Sequence, residues 1–464
     1  MAEKHVKRKF STSIKESFSD IGNAFVHGDY KTKLSFIVMG FGCITRKQFI
    51  KGLLYLLLEI AYILYFICFG WNYLKNFNSL GTNVLNKVWD ESQQIYINTP
   101  GDNSMLILLF SIMTIFISIG FLFTYFSNIR SAYYSQLLLK EGKKLPTFKD
   151  DFKSLFNEKF HITLLSLPAL GAIVFTILPL IFMILIAFTN FDRAHQPPGN
   201  LFTWVGFNNF KDIFWQNPQK SHTFSSLLSW TLVWAFFATF SNYIFGMILA
   251  LMINKKGIKL KKMWRTIFVT TIAVPSFVTL LLMSKILNDL GPLNVILIEE
   301  LKWIKEPIHF LTDGNLARIT VIVVNLWIGI PYTMLITTGI LMNIPEDIYE
   351  SARIDGAGPF KIFSKITFPY MIFVTTPYLI TQFIANINNF NVIYFLTGGD
   401  PKTLDYFQAG KTDLLVTWLY KLTVNDQNYS LASTIGILVF VISAIISLIT
   451  YNLSSSTKKE EQFQ

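Results

Sequence analysis

Eight long apolar stretches divide this chain, and each is long enough to cross a lipid bilayer as a helix. A bilayer core about 30 Å thick requires about 20 apolar residues per helix. The stretches contain few charged side chains and are separated by polar loops; they are 52–70, 105–127, 162–190, 224–253, 266–287, 316–342, 369–397 and 431–453. Because 52% of the residues are hydrophobic and only 15% are charged, we predict an all-α membrane protein with about eight transmembrane helices.

Lys and Arg side chains indicate how these helices are oriented. Of the 40 such residues, 28 lie in the two terminal segments and in alternate loops, and the opposite loops hold only 11. Since the cytoplasmic loops of membrane proteins are enriched in Lys and Arg, we expect both termini in the cytoplasm. The net charge of +11, which includes Lys7-Arg8-Lys9, therefore indicates solvated anchors at a membrane surface and not a nucleic-acid site.

The chain offers little for catalysis or metal binding. Its only cysteines, Cys43 and Cys68, lack zinc-ligand spacing, and its first apolar stretch begins too late for a secretory signal peptide. Residues 409–412 (AGKT) match the end of a phosphate-binding loop, but Asp405 stands where that motif requires glycine. We therefore expect no catalytic residues, no metal and no ATP site in this chain.

The sixth stretch carries an irregularity near its middle. Residues 325–332 read NLWIGIPY, in which Pro331 lacks a backbone donor and Gly329 lacks a side chain, so the helix is expected to kink or open there. Trp327 and Tyr332 flank this point, and aromatic rings suit the apolar faces of sugar rings. The alternative is that both aromatic side chains serve only helix packing.

The seventh stretch holds a cluster of amides. Residues 386–391 read NINNFN, and Asn386 and Asn389 are three apart, so they share a helix face. Amide side chains both donate and accept hydrogen bonds, which suits sugar hydroxyls. Hydrogen bonding between helices is the alternative, but four amides exceed what packing requires, and the cluster therefore predicts a polar cavity.

A polar segment separates the sixth and seventh stretches; residues 345–369 read PEDIYESARIDGAGPFKIFSKITFP. Pro345 suits the first turn of a helix, and Gly356 can end a helix in a left-handed conformation. A second helix can begin at Pro359. We therefore predict two short helices joined at a Gly-Ala-Gly hinge, to which the alternative is an ordinary loop between two spans.

The spacing within this segment resembles the EAA loop of ABC importer permeases. Residues 350–352 (ESA) are followed after three residues by Gly356, and after nine more by Ile366 and then Pro369. Two positions depart from the family pattern, with Ser in place of Ala and Phe in place of Leu. The resemblance implies that the residues coupling ATP hydrolysis to transport are Glu350, Ser351, Ala352, Gly356 and Pro369.

Longer runs narrow the resemblance to the larger permease subunit of maltose/maltodextrin importers. NLWIGIPY, NINNFNVIYFLTGGDP and AGKTDLLVTWLYKL are similar to that family, and the resemblance covers about residues 160–455. Gln382 and Ala385 depart from the family, which has a small hydroxyl residue and an aromatic residue at these positions. The resemblance implies that the sugar contacts are made by Trp327, Ile328, Gly329, Tyr332, Asn386 and Asn389.

The resemblance also implies an architecture and a set of partners. The expected parts are a cytoplasmic N-terminal segment (1–51), two extra helices (52–159), a six-helix type I permease core (160–455) with a coupling loop (343–369), and a cytoplasmic tail (456–464). In the plasma membrane of a bacterium, the chain would pair with a second homologous permease and two copies of a cytoplasmic ATPase, which bind ATP and Mg. An extracellular solute-binding protein would deliver malto-oligosaccharide.

Other classes of transporter stay open at this point. An ABC permease for another oligosaccharide or polyol would share the same coupling loop. An ion-coupled secondary sugar transporter would instead require acids in its central helices and matching halves. Glu59 lies within the first stretch, where an acid serves either proton coupling or a helix contact.

Overall fold

A computed structural model describes residues 10–92, 94–255 and 257–453. The basic triplet at 7–9 and the tail at 456–464 lie outside the described residues. Contacts divide the chain into two compact units, Met1–Trp204 and Val205–Gln464.

The N-terminal unit is built from helices and one hairpin. Two of the helices contain π-helical turns, at Phe66–Gly70 and at Ile173–Ile177. Strands β1 (Asn86–Asp90) and β2 (Ile95–Thr99) pair antiparallel, with Asn86 opposite Thr99. The helices are α1 (Phe10–His27), α2 (Tyr30–Leu34), α3 (Phe41–Ile44), α4 (Phe49–Leu74), α5 (Ser104–Lys140), α6 (Phe148–Phe156) and α7 (Phe160–Ile186).

A buried arginine fastens the short helices α2 and α3 to α5. Arg46 donates hydrogen bonds to the carboxylate of Asp29 at 2.6 Å, to the hydroxyl of Thr32 at 2.8 Å and to the carbonyl of Ala132 at 3.0 Å. Burial alone would raise the pKa of Asp29, but hydrogen bonds from the backbone N–H of Thr32 and from Arg46 outweigh it and hold that pKa below its usual value.

Glu59, within α4, also makes a hydrogen bond to a neighbouring segment of this unit. Its carboxylate accepts a hydrogen bond of 2.8 Å from the backbone N–H of Met39, in the turn before α3. The acid in the first span therefore satisfies a backbone donor of the preceding segment, which confirms the helix-contact interpretation.

The C-terminal unit consists of helices. Short π-helical turns lie at Asp212–Gln216, Ile296–Glu300 and Phe363–Thr367. The helices are α8 (Asn208–Lys211), α9 (Pro218–Asn254), α10 (Lys261–Ala273), α11 (Ser276–Ile286), α12 (Pro292–Val295), α13 (Gly314–Leu341), α14 (Glu346–Ile354), α15 (Pro359–Ile387), α16 (Phe390–Leu396), α17 (Leu415–Val424) and α18 (Tyr429–Leu453).

Helix α9 lies at the centre of this unit. Every fourth residue along one of its sides is buried: Trp230, Trp234, Ala238, Asn242, Gly246 and Ala250. Small residues at this spacing let neighbouring helices approach closely, and a Cβ atom at Gly246 would overlap the side chain of Thr333 on α13. The indole N–H groups of Trp230 and Trp234 donate to the carbonyls of Thr412 and Asn386, each at 3.1 Å.

The predicted spans are confirmed, but two of them are interrupted. Within the described residues, seven helices are long and apolar enough to cross a membrane, and α10 with α11 makes an eighth if the pair is one span. This fifth span bends by 86° because Pro275 lacks an N–H and restricts Val274 to extended backbone. The seventh stretch, predicted as 369–397, is helical only to Ile387 before α16 begins.

Candidate substrate and coupling sites

The aromatic residues of the sixth span point away from the core of the unit. Asp313 caps the N-terminus of α13 by accepting from the backbone N–H of Leu316 at 2.8 Å. Trp327 is 61% exposed and Tyr332 is 50% exposed, whereas Ile328 packs partly against the buried cluster around Trp234. The two rings are therefore free to contact a ligand or a second chain.

Helix α13 does not open at Pro331; of the kink or opening that the sequence predicted, the opening is wrong. The helix is continuous from Gly314 to Leu341. Proline removes one backbone donor, but the buried hydroxyl of Thr333 lies 3.1 Å from the carbonyl of Gly329 and donates to the carbonyl of Asn242 at 2.8 Å. The donor that Pro331 lacks would have served the carbonyl of Trp327. Helix α13 therefore continues with one backbone bond fewer, and Thr333 joins it to α9.

The amide cluster of the seventh span surrounds a break between two helices. Asn388 ends α15, and the side chain of Asn389 caps α16 by accepting from the N–H of Val392 at 3.2 Å. Asn386 is buried; its amide donates to the hydroxyl of Thr239 at 2.9 Å and accepts from the amide of Asn389 at 3.3 Å. These two amides therefore use part of their hydrogen-bonding capacity to hold the break.

The two predicted sugar-contact segments meet on one turn of α9. Thr239 receives the amide of Asn386, and Asn242, three residues further along α9, lies against Gly329 of α13. Residues three apart share a helix face. The fold therefore brings Gly329 and Asn386 to the same level of the unit, while Trp327 and Tyr332 extend outward from it.

Three buried polar groups near these segments were missed by the sequence analysis as individual site residues. Within the described residues, no hydrogen-bond partner lies in range of the amide nitrogen of Asn325, the amide oxygen of Asn242 or the hydroxyl of Tyr378. Buried polar groups are normally paired, so each of these atoms retains unused hydrogen-bonding capacity. Asn325 lies one turn before Gly329, and this spacing was the available sequence signal.

The two positions that depart from the family lie on the same part of α15. Gln382 is half-buried and Ala385 is exposed. A small side chain at Ala385 leaves space on the helix surface where the family places an aromatic ring.

The coupling segment has the predicted form of two helices and a glycine hinge. Helix α14 ends before Gly356, whose φ of +75° is left-handed, and α15 begins at Pro359. The N–H of Gly356 donates to the carbonyl of Arg353 at 3.0 Å. The hydroxyl of Tyr349 lies 3.2 Å from that of Thr367, which ties α14 to the π-helical turn within α15.

This segment presents an apolar surface to its surroundings. Ile354 is 86% exposed and Phe360 is 82% exposed, on the two sides of the hinge. Of the predicted coupling residues, Ala352 is half-buried, and the following are exposed: Glu350, Ser351, Gly356 and Pro369. Exposed apolar side chains of this size mark an interaction surface.

The loop that contains the phosphate-loop-like residues 409–412 has a structural role. Asp413 is fully buried and accepts from the backbone N–H of Gly410 at 2.7 Å, the hydroxyl of Thr417 at 2.8 Å and the ammonium of Lys421 at 2.6 Å. Burial raises the pKa of Asp413, and Lys421 opposes that shift. The N–H of Gly410 is thus occupied by a carboxylate of the same loop.

Comparison with known proteins places the chain in one family. Residues 242–459 match the family model described as the binding-protein-dependent transport system inner membrane component. The chain is 35% identical to the galactooligosaccharides transport system permease protein GanP of Bacillus subtilis, over 91% of this chain and 97% of that protein. It is also 35% identical to the maltodextrin transport system permease protein MalC of Streptococcus pneumoniae, over 91% and 95% of the two chains.

Other matches extend over less of the chain. The maltose/maltodextrin transport system permease protein MalF of Klebsiella aerogenes is 36% identical over 56% of this chain and 51% of that protein. A chain in the crystal structure of a bacterial alginate ABC transporter, in complex with alginate pentasaccharide-bound periplasmic protein, gives a TM-score of 0.54 at 22% identity, over 66% of this chain and 98% of that chain. This last likeness shows the fold.

The fold and the relatives define a multi-pass membrane permease and not an enzyme, because ATP hydrolysis in ABC importers belongs to separate ATPase subunits. The chain belongs to the family of binding-protein-dependent transport permeases, and it is a permease subunit of an ABC importer with the type I core. The resemblance drawn from residues 345–369 is therefore confirmed.

Proposed function

We propose that this chain forms half of the membrane pathway of an importer for malto-oligosaccharides. The observation that carries this proposal is the exposure of two aromatic rings, Trp327 and Tyr332, on the same helix as Asn325, whose amide nitrogen has no hydrogen-bond partner among the described residues. Rings suit the apolar faces of sugars, and amides suit their hydroxyls. Relatives named as maltodextrin permeases, at 35% identity over most of the chain, supply the substrate class.

Some of the side chains that bind the sugar are exposed on the surface of this chain. The proposed contacts are Trp327, Ile328, Gly329, Tyr332, Asn386 and Asn389. Because Trp327 and Tyr332 are half exposed or more, a second homologous permease completes the cavity around them. The same exposure explains why the rings suit a ligand better than packing within this chain.

Coupling to ATP runs through the hinge segment. Two copies of a cytoplasmic ATPase, which bind ATP and Mg, dock one on this chain and one on its partner. The exposed side chains of Ile354 and Phe360 enter a cleft of the ATPase, and Glu350 lies on the adjoining surface. The contact between Tyr349 and Thr367 carries movement of α14 into α15.

The orientation follows from the distribution of positive charge. Both termini and the hinge segment face the cytoplasm of a bacterium, because the loops on that side hold most of the Lys and Arg. The loop held by Asp413 and Lys421 then lies outside, where an extracellular solute-binding protein delivers the sugar. Its buried ion pair provides a rigid docking platform.

A galacto-oligosaccharide is the second candidate substrate. The relative GanP of Bacillus subtilis, named as a galactooligosaccharide permease, is as similar to this chain as the maltodextrin permeases are. The departures at Gln382 and Ala385 lie within four residues of the proposed contacts Asn386 and Asn389 and affect which sugar fits. Membership in the permease family disfavours the ion-coupled transporter that the sequence left open.

Uptake into proteoliposomes separates these candidates. The importer is assembled with its binding protein and ATPases. Uptake of radiolabelled maltotriose is then measured alone and in the presence of unlabelled maltotriose, galactotriose or sorbitol. ATP-dependent uptake that only maltotriose inhibits supports the proposal. Absence of maltotriose uptake, together with ATP-dependent uptake of radiolabelled galactotriose, replaces the substrate with a galacto-oligosaccharide, and uptake without ATP contradicts the importer itself.

A further inference from the structure

The N-terminal unit contains a large cavity that the transport pathway does not use. Its volume is about 1110 Å³, and helices α1, α4, α5 and α6 line it. Its lining residues lie near the start of α4 and toward the end of α5, next to the basic loops. The cavity is therefore at the level of one membrane surface.

Helix α6 is fastened at that level by two contacts with the beginning of α4. The ammonium of Lys51 lies 3.0 Å from the carboxylate of Asp151, and the amide of Gln48 donates to the carbonyl of Pro146 at 3.0 Å. The side chain of Thr147 and that of Asp150 cap α6 reciprocally. A helix of nine residues is thus held where the first span enters the membrane.

One face of α6 is aromatic and the other is charged. Phe148, Phe152 and Phe156 recur every fourth residue and are exposed, while Lys149 and Lys153 lie between them along the sequence. Amphipathic helices with this pattern lie in the plane of a membrane interface, with the aromatic face in the lipid and the Lys side chains near the headgroups. Helix α6 therefore has the chemistry of an interfacial helix.

The cavity beside α6, which Phe148 and Phe152 also line, combines an apolar wall with a positively charged rim. Leu54, Leu58 and Phe123 of its wall are at least half exposed, as expected of surfaces that face acyl chains. Its rim carries three cations, Lys51, Arg130 and Lys159, against two acids. The rim is thus complementary to an anionic headgroup, and the wall is complementary to an acyl chain.

We propose that this cavity binds a phospholipid with an anionic headgroup, such as phosphatidylglycerol. The phosphodiester is held by Arg130 and Lys159 at the rim, and one acyl chain lies along Leu54 and Leu58. The ion pair between Arg130 and Asp20 is about half exposed at 3.3 Å, so the guanidinium can turn to a phosphate at little cost. The two extra N-terminal spans thereby form a lipid-binding anchor for the permease.

Native mass spectrometry of the full-length chain tests this proposal. The chain is exchanged into detergent with equal amounts of dioleoylphosphatidylglycerol and dioleoylphosphatidylcholine, and bound lipids are counted after graded activation. The wild type is expected to retain phosphatidylglycerol preferentially. Arg130→Gln with Lys159→Gln is expected to lower this retention at least tenfold, because the two cations that hold the phosphodiester are lost while the Lys51–Asp151 contact stays.

The matched control removes two charges of the same loop outside the cavity. Lys143→Gln with Lys144→Gln, in the loop between α5 and α6, changes net charge equally but leaves the lining intact, and retention is expected to stay within twofold of the wild type. Ser127→Trp fills the cavity without changing charge and is expected to lose the lipid as well. Circular dichroism of each variant establishes that it is folded.

Each remaining outcome contradicts the proposal. Equal loss in the control and rim variants would mean that surface charge alone attracts the lipid. Equal retention of phosphatidylcholine would remove the headgroup preference, and displacement by millimolar glycerol 1-phosphate would assign the rim to a soluble phosphate ester. Retention that none of the variants lowers would place the lipid elsewhere.

Discussion

The side chain of Asn242 occupies the space that a Cβ atom at Gly329 would need. This contact joins the central helix α9 to the span that carries the proposed sugar contacts. Because the Asn242 amide also donates to the carbonyl of Ala238 at 2.7 Å, it is not free to move aside. Gly329 is therefore a packing position as well as a proposed contact.

Replacing this glycine tests the packing role directly. Gly329→Ala is expected to destabilise the permease by about 1–3 kcal/mol, because the added methyl overpacks the interface with Asn242. Gly339→Ala, on the same helix, has no atom within 4 Å of the new methyl and is expected to raise stability slightly, by about 0.4–1 kcal/mol. Thermal unfolding of both variants in detergent measures the difference, and equal melting temperatures would contradict the packing role.

The exposed and buried tryptophans are expected to behave differently. Trp327→Ala should reduce maltotriose uptake at least tenfold and leave assembly intact, because the ring is 61% exposed. Trp234→Ala should instead lose folded protein, because the ring is fully buried and its N–H donates to the carbonyl of Asn386. Size-exclusion chromatography of each complex, followed by uptake, distinguishes these effects. Loss of assembly in Trp327→Ala would support simple packing.

The carboxylate of Asp413 is buried, so the stability of the outer loop depends on its charged partner, Lys421. Lys421→Met is expected to destabilise the fold by about 3 kcal/mol, since removing one partner leaves a buried charge uncompensated. Lys402→Met, in the same loop, removes a positive charge that makes no such bond to Asp413 and serves as the control. Chemical denaturation compares them. Equal midpoints for the two variants would show that the pair contributes no stability.

The contact between Asp29 and Arg46 predicts a pH dependence of stability. The pKa of Asp29 is lowered in the folded state, so its contribution is fully present above the unfolded value of about 3.9 and is lost as the pH falls through the lower, folded value. Asp29→Asn is expected to lower the melting temperature at pH 6, because Arg46 loses a charged partner. Melting curves at pH 6, 5, 4 and 3 should converge with those of the wild type as the pH falls. A constant difference would contradict this prediction.

Hydrophobic pattern and charge distribution were sufficient to predict the spans and the coupling segment. Runs of about 20 apolar residues identify helices without any tertiary information, and Gly356 with Pro359 specified the hinge by local backbone chemistry alone. The break at Pro275 also had a local signal, because proline follows the β-branched Val274, yet a continuous apolar stretch concealed it.

Contacts between helices decided the features that the sequence did not predict. Pro331 suggested a kink or an opening, but α13 is continuous through it and is joined to α9 by the hydroxyl of Thr333. The amides of Asn386 and Asn389 suggested a cavity, and the structure also uses them to hold a helix break. The position of Asn242 opposite Gly329 depends on which helices meet, and no local pattern carries that information.

The central claim is that the Gly356 hinge couples ATP hydrolysis to sugar import. Its left-handed φ of +75° and its N–H bond to Arg353 are both incompatible with proline, whereas Gly358 has an ordinary φ of −72° and open space around it. Gly356→Pro therefore distorts the hinge, and Gly358→Ala is the matched control.

The measurement that tests this claim most directly is the ATPase activity of the reconstituted importer, titrated with maltotriose in the presence of its binding protein. The account predicts stimulation in the wild type and in Gly358→Ala, and at least a tenfold loss of stimulation in Gly356→Pro complexes that retain their ATPases. Undiminished stimulation in Gly356→Pro would contradict the coupling role of the hinge.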